Sequence, residues 1–293
     1  MRKLLLGAAI IGGLAAGAGW VISAPRPIDT ASLATRTGDA TQGEAVFHAA
    51  GCASCHIAPD RDADPLVLSG GRAFASDFGT FIAPNISTDP QHGIGAWSSG
   101  EFINAVMRGI SPDGTHYYPA FPYTSYIRAD PQDITDLYAF MMTLPADATP
   151  SQPHDLGFPF NIRRGVGVWK ALFLRDDWVV TADLSAEEAR GRYLSEALSH
   201  CAECHSPRNA LGALDHGRWL LGAPNPSGTG RIPAIAGDDF DWSAFDISAY
   251  LETGLTPDFD VVGGSMAAVV RSLQQLEKSD LDAIAAYILR AGQ

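Results

Sequence analysis

Cys52-Ala-Ser-Cys55-His56 and Cys201-Ala-Glu-Cys204-His205 are two copies of one pentapeptide, Cys-x-x-Cys-His. That spacing belongs to covalent attachment of a c-type haem: two cysteines reach its vinyl groups, and the adjoining histidine lies under the iron. A redox-active disulfide or half of a zinc site needs only the cysteine pair, with no histidine directly after it. All four cysteines of the 293-residue chain fall in these two motifs, which leaves none for a disulfide framework. Two covalently bound haem c groups are expected. Cys52, Cys55 and His56 would hold the first, and Cys201, Cys204 and His205 the second, with each histidine as proximal iron ligand.

Working outward from the motifs, the chain repeats itself. Trp97-Ser98 opens a helical stretch that ends at Gly109-Ile110-Ser111-Pro112-Asp113, and Trp242-Ser243 opens another that ends at Gly254-Leu255-Thr256-Pro257-Asp258. Tryptophan to glycine is 12 residues in both. A helix-like run precedes each haem motif, over 43–50 and 187–199, and each half closes on another, over 134–140 and 281–287. Asp130 and Ser279 are expected as N-caps of the closing helices. No long alternating strand pattern appears. The expected fold is all-α, with two tandem small cytochrome c-like haem domains over 36–145 and 184–293. An aromatic-rich linker over 146–183 would join them, its irregular course marked by Pro150, Pro153, Gly157 and Pro159.

The two halves differ at the second axial ligand. In small c-type cytochromes a methionine on a loop beyond the third helix usually completes the iron coordination and raises the potential relative to a second histidine. Met266 lies 12 residues after Gly254, in Gly263-Gly264-Ser265-Met266, and it is expected to ligate the second haem. Twelve residues after Gly109 stands Phe121, which cannot bind iron. Met107 and His116 are the candidates to replace it, and an open first iron is the remaining option. Arg72, Trp97 and Trp242 are candidates for haem propionates, with plain packing as the competing role.

Residues 1–27 read as an N-terminal membrane anchor or signal. Arg2 and Lys3 precede an uncharged run from Leu4 to Ser23, of spanning length at helical rise. The basic flank would stay cytoplasmic, placing the rest on the periplasmic side of a bacterial inner membrane. A retained anchor is favoured over a cleaved signal, because Ile22-Ser23-Ala24 is a poor small-x-small site followed by Pro25. A formal charge of −13 argues against nucleic acid and fits a partner bearing basic residues.

Ala83-Pro84-Asn85-Ile86, Gly95-Ala96-Trp97-Ser98 and Tyr118-Pro119-Ala120-Phe121-Pro122-Tyr123 resemble the cytochrome c subunits of membrane-bound bacterial dehydrogenases for alcohol, gluconate and fructose. The second half, over 200–209 and 263–266, is similar to the same group. The resemblance implies a subunit that takes electrons from a catalytic partner and passes them to quinone, to an oxidase or to another cytochrome. Two features depart from it: those subunits usually carry three haems, and the loop methionine is replaced here by Phe121. Electron transfer without chemistry of its own is the leading expectation. The enzymatic alternative is a dihaem peroxidase-like oxidoreductase that uses an open first haem. A haem-based gas sensor would need an output module, and none is visible.

Overall fold

The computed structural model describes residues 12–14, 17–30, 36–60, 64–226 and 228–293. Each half is built from a helix before its haem motif, a short helix on the motif, a middle helix, a shorter helix beyond it and a closing helix. In the first half these are α1 (Ala40–Ala49), α2 (Cys52–His56), α3 (Ser99–Arg108), the single turn α4 (Tyr123–Tyr126) and α5 (Pro131–Met141). A linker helix α6 (Gly165–Phe173) follows. The second half has α7 (Ala186–Arg192), which runs on as a π-helical turn over Tyr193–Leu198, then α8 (Ala202–His205), α9 (Ala244–Thr253), α10 (Met266–Leu273) and α11 (Lys278–Ala291).

Local chemistry explains the helix boundaries. Ser98 and Glu101 form a capping box on α3, and Ser243 and Asp246 form its counterpart on α9. Each satisfies two backbone donors that a helix start leaves open. Both helices end on a left-handed glycine, Gly109 and Gly254. Asp130 caps α5 as its sequence suggests, accepting from Gln132 N at 2.8 Å. The closing helix α11 begins two residues earlier than expected, with Glu277 as N-cap and Ser279 inside its first turn.

In each half the first helix crosses the last, α1 on α5 and α7 on α11. Both crossings run over a glycine. A Cβ on Gly43 would meet the Asp136 carbonyl at 2.0 Å, and one on Gly191 would meet the Ala283 carbonyl at 1.8 Å. The halves share one core: Phe47, Ile103 and Leu137 belong to the same buried cluster as Leu194, Leu198 and Tyr287. Its joint is reciprocal, since α10 packs on α1 and α2 while α4 packs on the π turn before the second motif.

Two expectations are corrected. The N-terminal membrane helix is not borne out: among the described residues no helix is long and apolar enough to cross a membrane. Residues 4–11 and 15–16 of the apolar run lie outside the described residues. Glycine recurs at Gly12, Gly13, Gly17 and Gly19, and each interior glycine weakens a helix. The end of the run is tied to the protein body instead. Arg164 donates from Nη2 to the Trp20 carbonyl at 2.8 Å and from Nε to Ser23 Oγ at 2.9 Å.

The second correction is that two small antiparallel sheets interrupt the helices. Strands β1 (Ala73–Ser76), β2 (Gly79–Ile82) and β3 (Asp155–Leu156) form one, with Ala73 opposite Ile82 and Thr80 opposite Asp155. Strands β4 (Ala223–Pro224) and β5 (Arg231–Ile232) form the other. Runs of two to four residues are too short to show an alternating pattern in sequence.

Candidate haem-binding site

Each motif starts at a sharp bend. Gly51 precedes α2 with φ of 61°, and His200 holds the matching left-handed position with φ of 44°. The four thiols are unpaired. Burial pushes the Cys52 thiol up to about 12 and the Cys201 thiol to about 11, so both are protonated at neutral pH. Among the described residues no three histidine, cysteine or acidic side chains converge on a point where a metal ion could be held. Burial raises the Cys55 thiol as well, against the opposing charge of Arg72 and with a smaller push from Cys204.

The histidines carry the clearest geometry. His56 Nδ1 donates to the Pro84 carbonyl at 2.9 Å, and His205 Nδ1 donates to the Pro233 carbonyl at 2.8 Å. In both halves histidine and proline are 28 residues apart. A carbonyl only accepts, so the bonded nitrogen carries the proton and Nε2 keeps its lone pair. Burial lowers the pKa of both imidazoles, outweighing the opposing effect of the carbonyl bond, and holds them neutral at pH 7. A neutral imidazole with Nδ1 held by a carbonyl is the form that ligates iron through Nε2.

The loop beyond each histidine is fixed the same way. Gly70 N bonds to the His56 carbonyl at 2.6 Å and Gly222 N to the His205 carbonyl at 2.7 Å. Ile86 N then bonds to the Leu68 carbonyl, and Ile235 N to the Leu220 carbonyl, both at 2.9 Å. Leu68 and Leu220 are buried. The donor set and these paired cradles fit two covalently attached haems, each with a histidine on one face.

Met266, expected to ligate the second haem, is the first residue of α10 and packs partly buried against the shared core. Phe121 occupies the matching place before α4, ringed by Tyr117, Tyr123 and Tyr126 at centroid distances of 6.0, 6.3 and 5.9 Å. Met107 is buried in the core on α3, as is Met141 on α5. His116 is buried too, but its Nε2 bonds to the Ser23 carbonyl at 2.9 Å. Arg72 reaches the first motif, donating from Nη1 to the Ser54 carbonyl at 2.5 Å. Trp97 accepts on its carbonyl from Tyr138 Oη at 2.6 Å, and the Trp242 ring lies edge-on to Tyr250 at 5.2 Å.

Several residues of the site carry little signal in the sequence. The acceptor carbonyls of Pro84 and Pro233 are visible there only as a shared 28-residue spacing behind each motif. His200, which reads as a surface or loop residue, is part-buried between the halves, its Nε2 on the Ala50 carbonyl at 3.3 Å and its ring 5.8 Å from Tyr126. Tyr126 Oη donates to the same carbonyl at 3.1 Å.

This pairing of histidine clamps and thiols is that of a c-type cytochrome, and the cytochrome c family profile matches residues 40–145. A "Diheme cytochrome c-type" protein of Cereibacter sphaeroides is 52% identical over 99% of this chain and 98% of its own length. The chain belongs to that family of dihaem c-type cytochromes and is an electron-transfer cytochrome with two covalently bound haem c groups. It is also similar to "Fructose dehydrogenase cytochrome subunit" of Gluconobacter japonicus, 38% identical over 85% of this chain and 51% of that one. "Alcohol dehydrogenase (quinone), cytochrome c subunit" of Gluconobacter oxydans is 32% identical over 84% of this chain and 53% of that one. The chain spans about half the length of these two dehydrogenase subunits.

Proposed function

We propose that this chain works on the periplasmic side of a bacterial cell, carrying electrons from a dehydrogenase or quinol-oxidising donor to a respiratory acceptor. Cys52, Cys55 and His56 would hold the first haem, and Cys201, Cys204 and His205 the second, with Met266 as the residue that would supply the second iron's other ligand. The observation that carries this reading is the matched pair of clamps, His56 on Pro84 and His205 on Pro233. The dehydrogenase cytochrome subunits among its relatives support the choice of donor.

When bound, haem supplies a reversible one-electron couple. The residues of the chain set its terms. The Pro84 and Pro233 carbonyls fix each ring and raise the basicity of its Nε2. The dry core around Leu68, Leu220 and Tyr287 holds the ligand frame rigid. A rigid, water-poor frame changes little between oxidation states, which suits rapid transfer.

The donor assignment is tested by mixing the haem-loaded chain with a flavin- or quinone-dependent sugar or alcohol dehydrogenase and its substrate under anaerobic conditions. Reduction of both haems supports it, and no reduction counts against it.

Phe121 in place of a methionine favours a second reading, peroxidase-like chemistry at an open first iron. Electron paramagnetic resonance of the oxidised protein separates the two. A carrier shows two low-spin haems, with Met107→Ala and His116→Ala identifying any ligand at the first. A high-spin signal together with peroxide turnover supports the enzyme.

A further inference from the structure

The two halves present the same face, and among the described residues the chain covers only one of them. In the first half this strip consists of Gly100 and Asn104 on α3, then Ile110 and His116 on the bridged loop that follows. Residues 23–30 and helix α6 lie over it. Asn104 Oδ1 accepts from Ile28 N at 2.7 Å, and a Cβ on Gly100 would stand 2.7 Å from Thr30 Oγ1. The Ser23 carbonyl accepts from His116. Lys170 of α6 donates to the Arg108 and Gly109 carbonyls at 2.5 and 2.8 Å, closing the end of α3. Ile110 and His116 are 5% and 3% exposed as a result.

The backbone of the second half repeats this construction 145 positions later. Leu255 bridges Val261 as Ile110 bridges His116. Val262 N bonds to the Gly254 carbonyl at 2.8 Å, as Tyr117 N bonds to Gly109 at 2.7 Å. The residues on the strip are now Phe245, Ala249, Leu255 and Val261. Phe245 is 77% exposed, Leu255 40% and Val261 76%. At the tip of the loop Phe259 takes the left-handed position that Gly114 holds in the first half, with φ of 66° against 75°. A residue with a side chain pays free energy for that conformation, yet its ring is 81% exposed.

We propose that this bare strip docks a redox partner protein, which lays on it an apolar, lysine- or arginine-bearing segment in the way α6 and residues 23–30 cover the first half. The inference rests on the electron-carrier reading above. The internal repeat supplies the chemistry of the occupant. Helix α9 has no basic residue in its last turn, where Lys170 serves α3, and its Glu252 carbonyl is met by the neutral Gln274 amide at 2.9 Å, so a cation supplied by the partner suits this end. Glu252 on α9 and Asp258 and Asp260 on the loop that follows are exposed carboxylates within a few positions of Leu255 and Val261, in a chain whose formal net charge is −13. The strip leads directly into the loop before Met266, so a docked partner would stand beside the residue proposed to ligate the second iron.

The test uses the full haem-loaded chain in its reduced form, mixed rapidly with a lysine-rich soluble cytochrome c or, separately, with ferricyanide. The double variant Phe245→Ser/Val261→Ser should slow the protein reaction about tenfold and leave the ferricyanide reaction unchanged. Leu172→Ser, on an exposed position of α6, should change neither. The wild-type protein reaction should also weaken as salt rises. An unchanged protein rate in the double variant overturns the proposal. So does a wild-type dimer that the double variant dissolves, which would make the strip a contact between copies. A wild type that reduces neither acceptor overturns the carrier reading itself, and the docking proposal with it.

Discussion

Thr124 Oγ1 donates to the Glu203 carboxylate at 2.7 Å, tying the turn after Phe121 to the interior of the second Cys-x-x-Cys-His. Arg208 completes the site with a short ion pair to the same carboxylate. Together with Tyr126 and His200 on the Ala50 carbonyl, this bond holds the two haem-bearing segments as one body. A fixed separation between two redox centres is what a two-haem relay requires.

The Thr124–Glu203 clamp should loosen in acid. Burial alone would raise the Glu203 carboxyl, but the charge of Arg208 and the bonds from Thr124 and Arg208 outweigh it and hold the group below its ordinary value of 4.5. A carboxyl lowered on folding contributes stability that is present above its unfolded pKa and lost as pH falls through its folded pKa. Glu203→Gln should therefore cost about 1–2 kcal/mol at pH 7. The cost should fade below pH 4.5. Denaturant unfolding of the haem-loaded variant and wild type at both pH values measures it.

Glu196 anchors the linker. Its carboxylate accepts from Val179 N at 2.8 Å, Val180 N at 3.1 Å and Tyr287 Oη at 2.6 Å, and the residue is 1% exposed. Removing it strands one buried donor and two part-buried ones. Glu196→Ala should destabilise the protein by about 3 kcal/mol. A melting temperature within a degree of wild type would contradict this network.

Cysteine replacement reports on attachment. Cys55→Ser or Cys204→Ser should weaken covalent attachment at one haem and leave the other intact, so denatured protein carries about one firmly bound haem per chain. Haem staining after denaturation, with absorbance for the ratio, gives the count.

Met266→Ala should remove the methionine charge-transfer absorption of the second haem and lower its potential. The shift should be on the order of 0.1 V, within the roughly 0.8 V that axial ligands command. Undiminished absorption in the variant would show that Met266 is not the ligand.

Much of this is legible in the sequence because it depends on local chemistry. The twin motifs, the repeat from Trp97 to Gly109 and Trp242 to Gly254, and the cap at Asp130 each lie within a few residues of their effect. What escapes such a reading depends on distant contacts. Strands β1 and β2 are held by pairing rather than by any alternating pattern. Helix α6 has little polar face, and its Val166, Gly167 and Lys170 acquire meaning only on the surface they cover. The apolar run before Ser23 reads as a membrane helix because hydropathy does not register the bonds from Arg164 and His116 that secure its end. Glu203 sits between two cysteines whose motif explains only its neighbours, and its partner Thr124 is 79 residues away.

The most direct test of the account is an anaerobic reductive titration of the fully haem-loaded chain, followed by absorption, with peroxide added at the end. The account predicts two covalently bound haems, two electron equivalents taken up per chain, and prompt return of both electrons to a redox mediator without catalytic consumption of peroxide. One electron per chain, or a first haem that turns over peroxide, would contradict it.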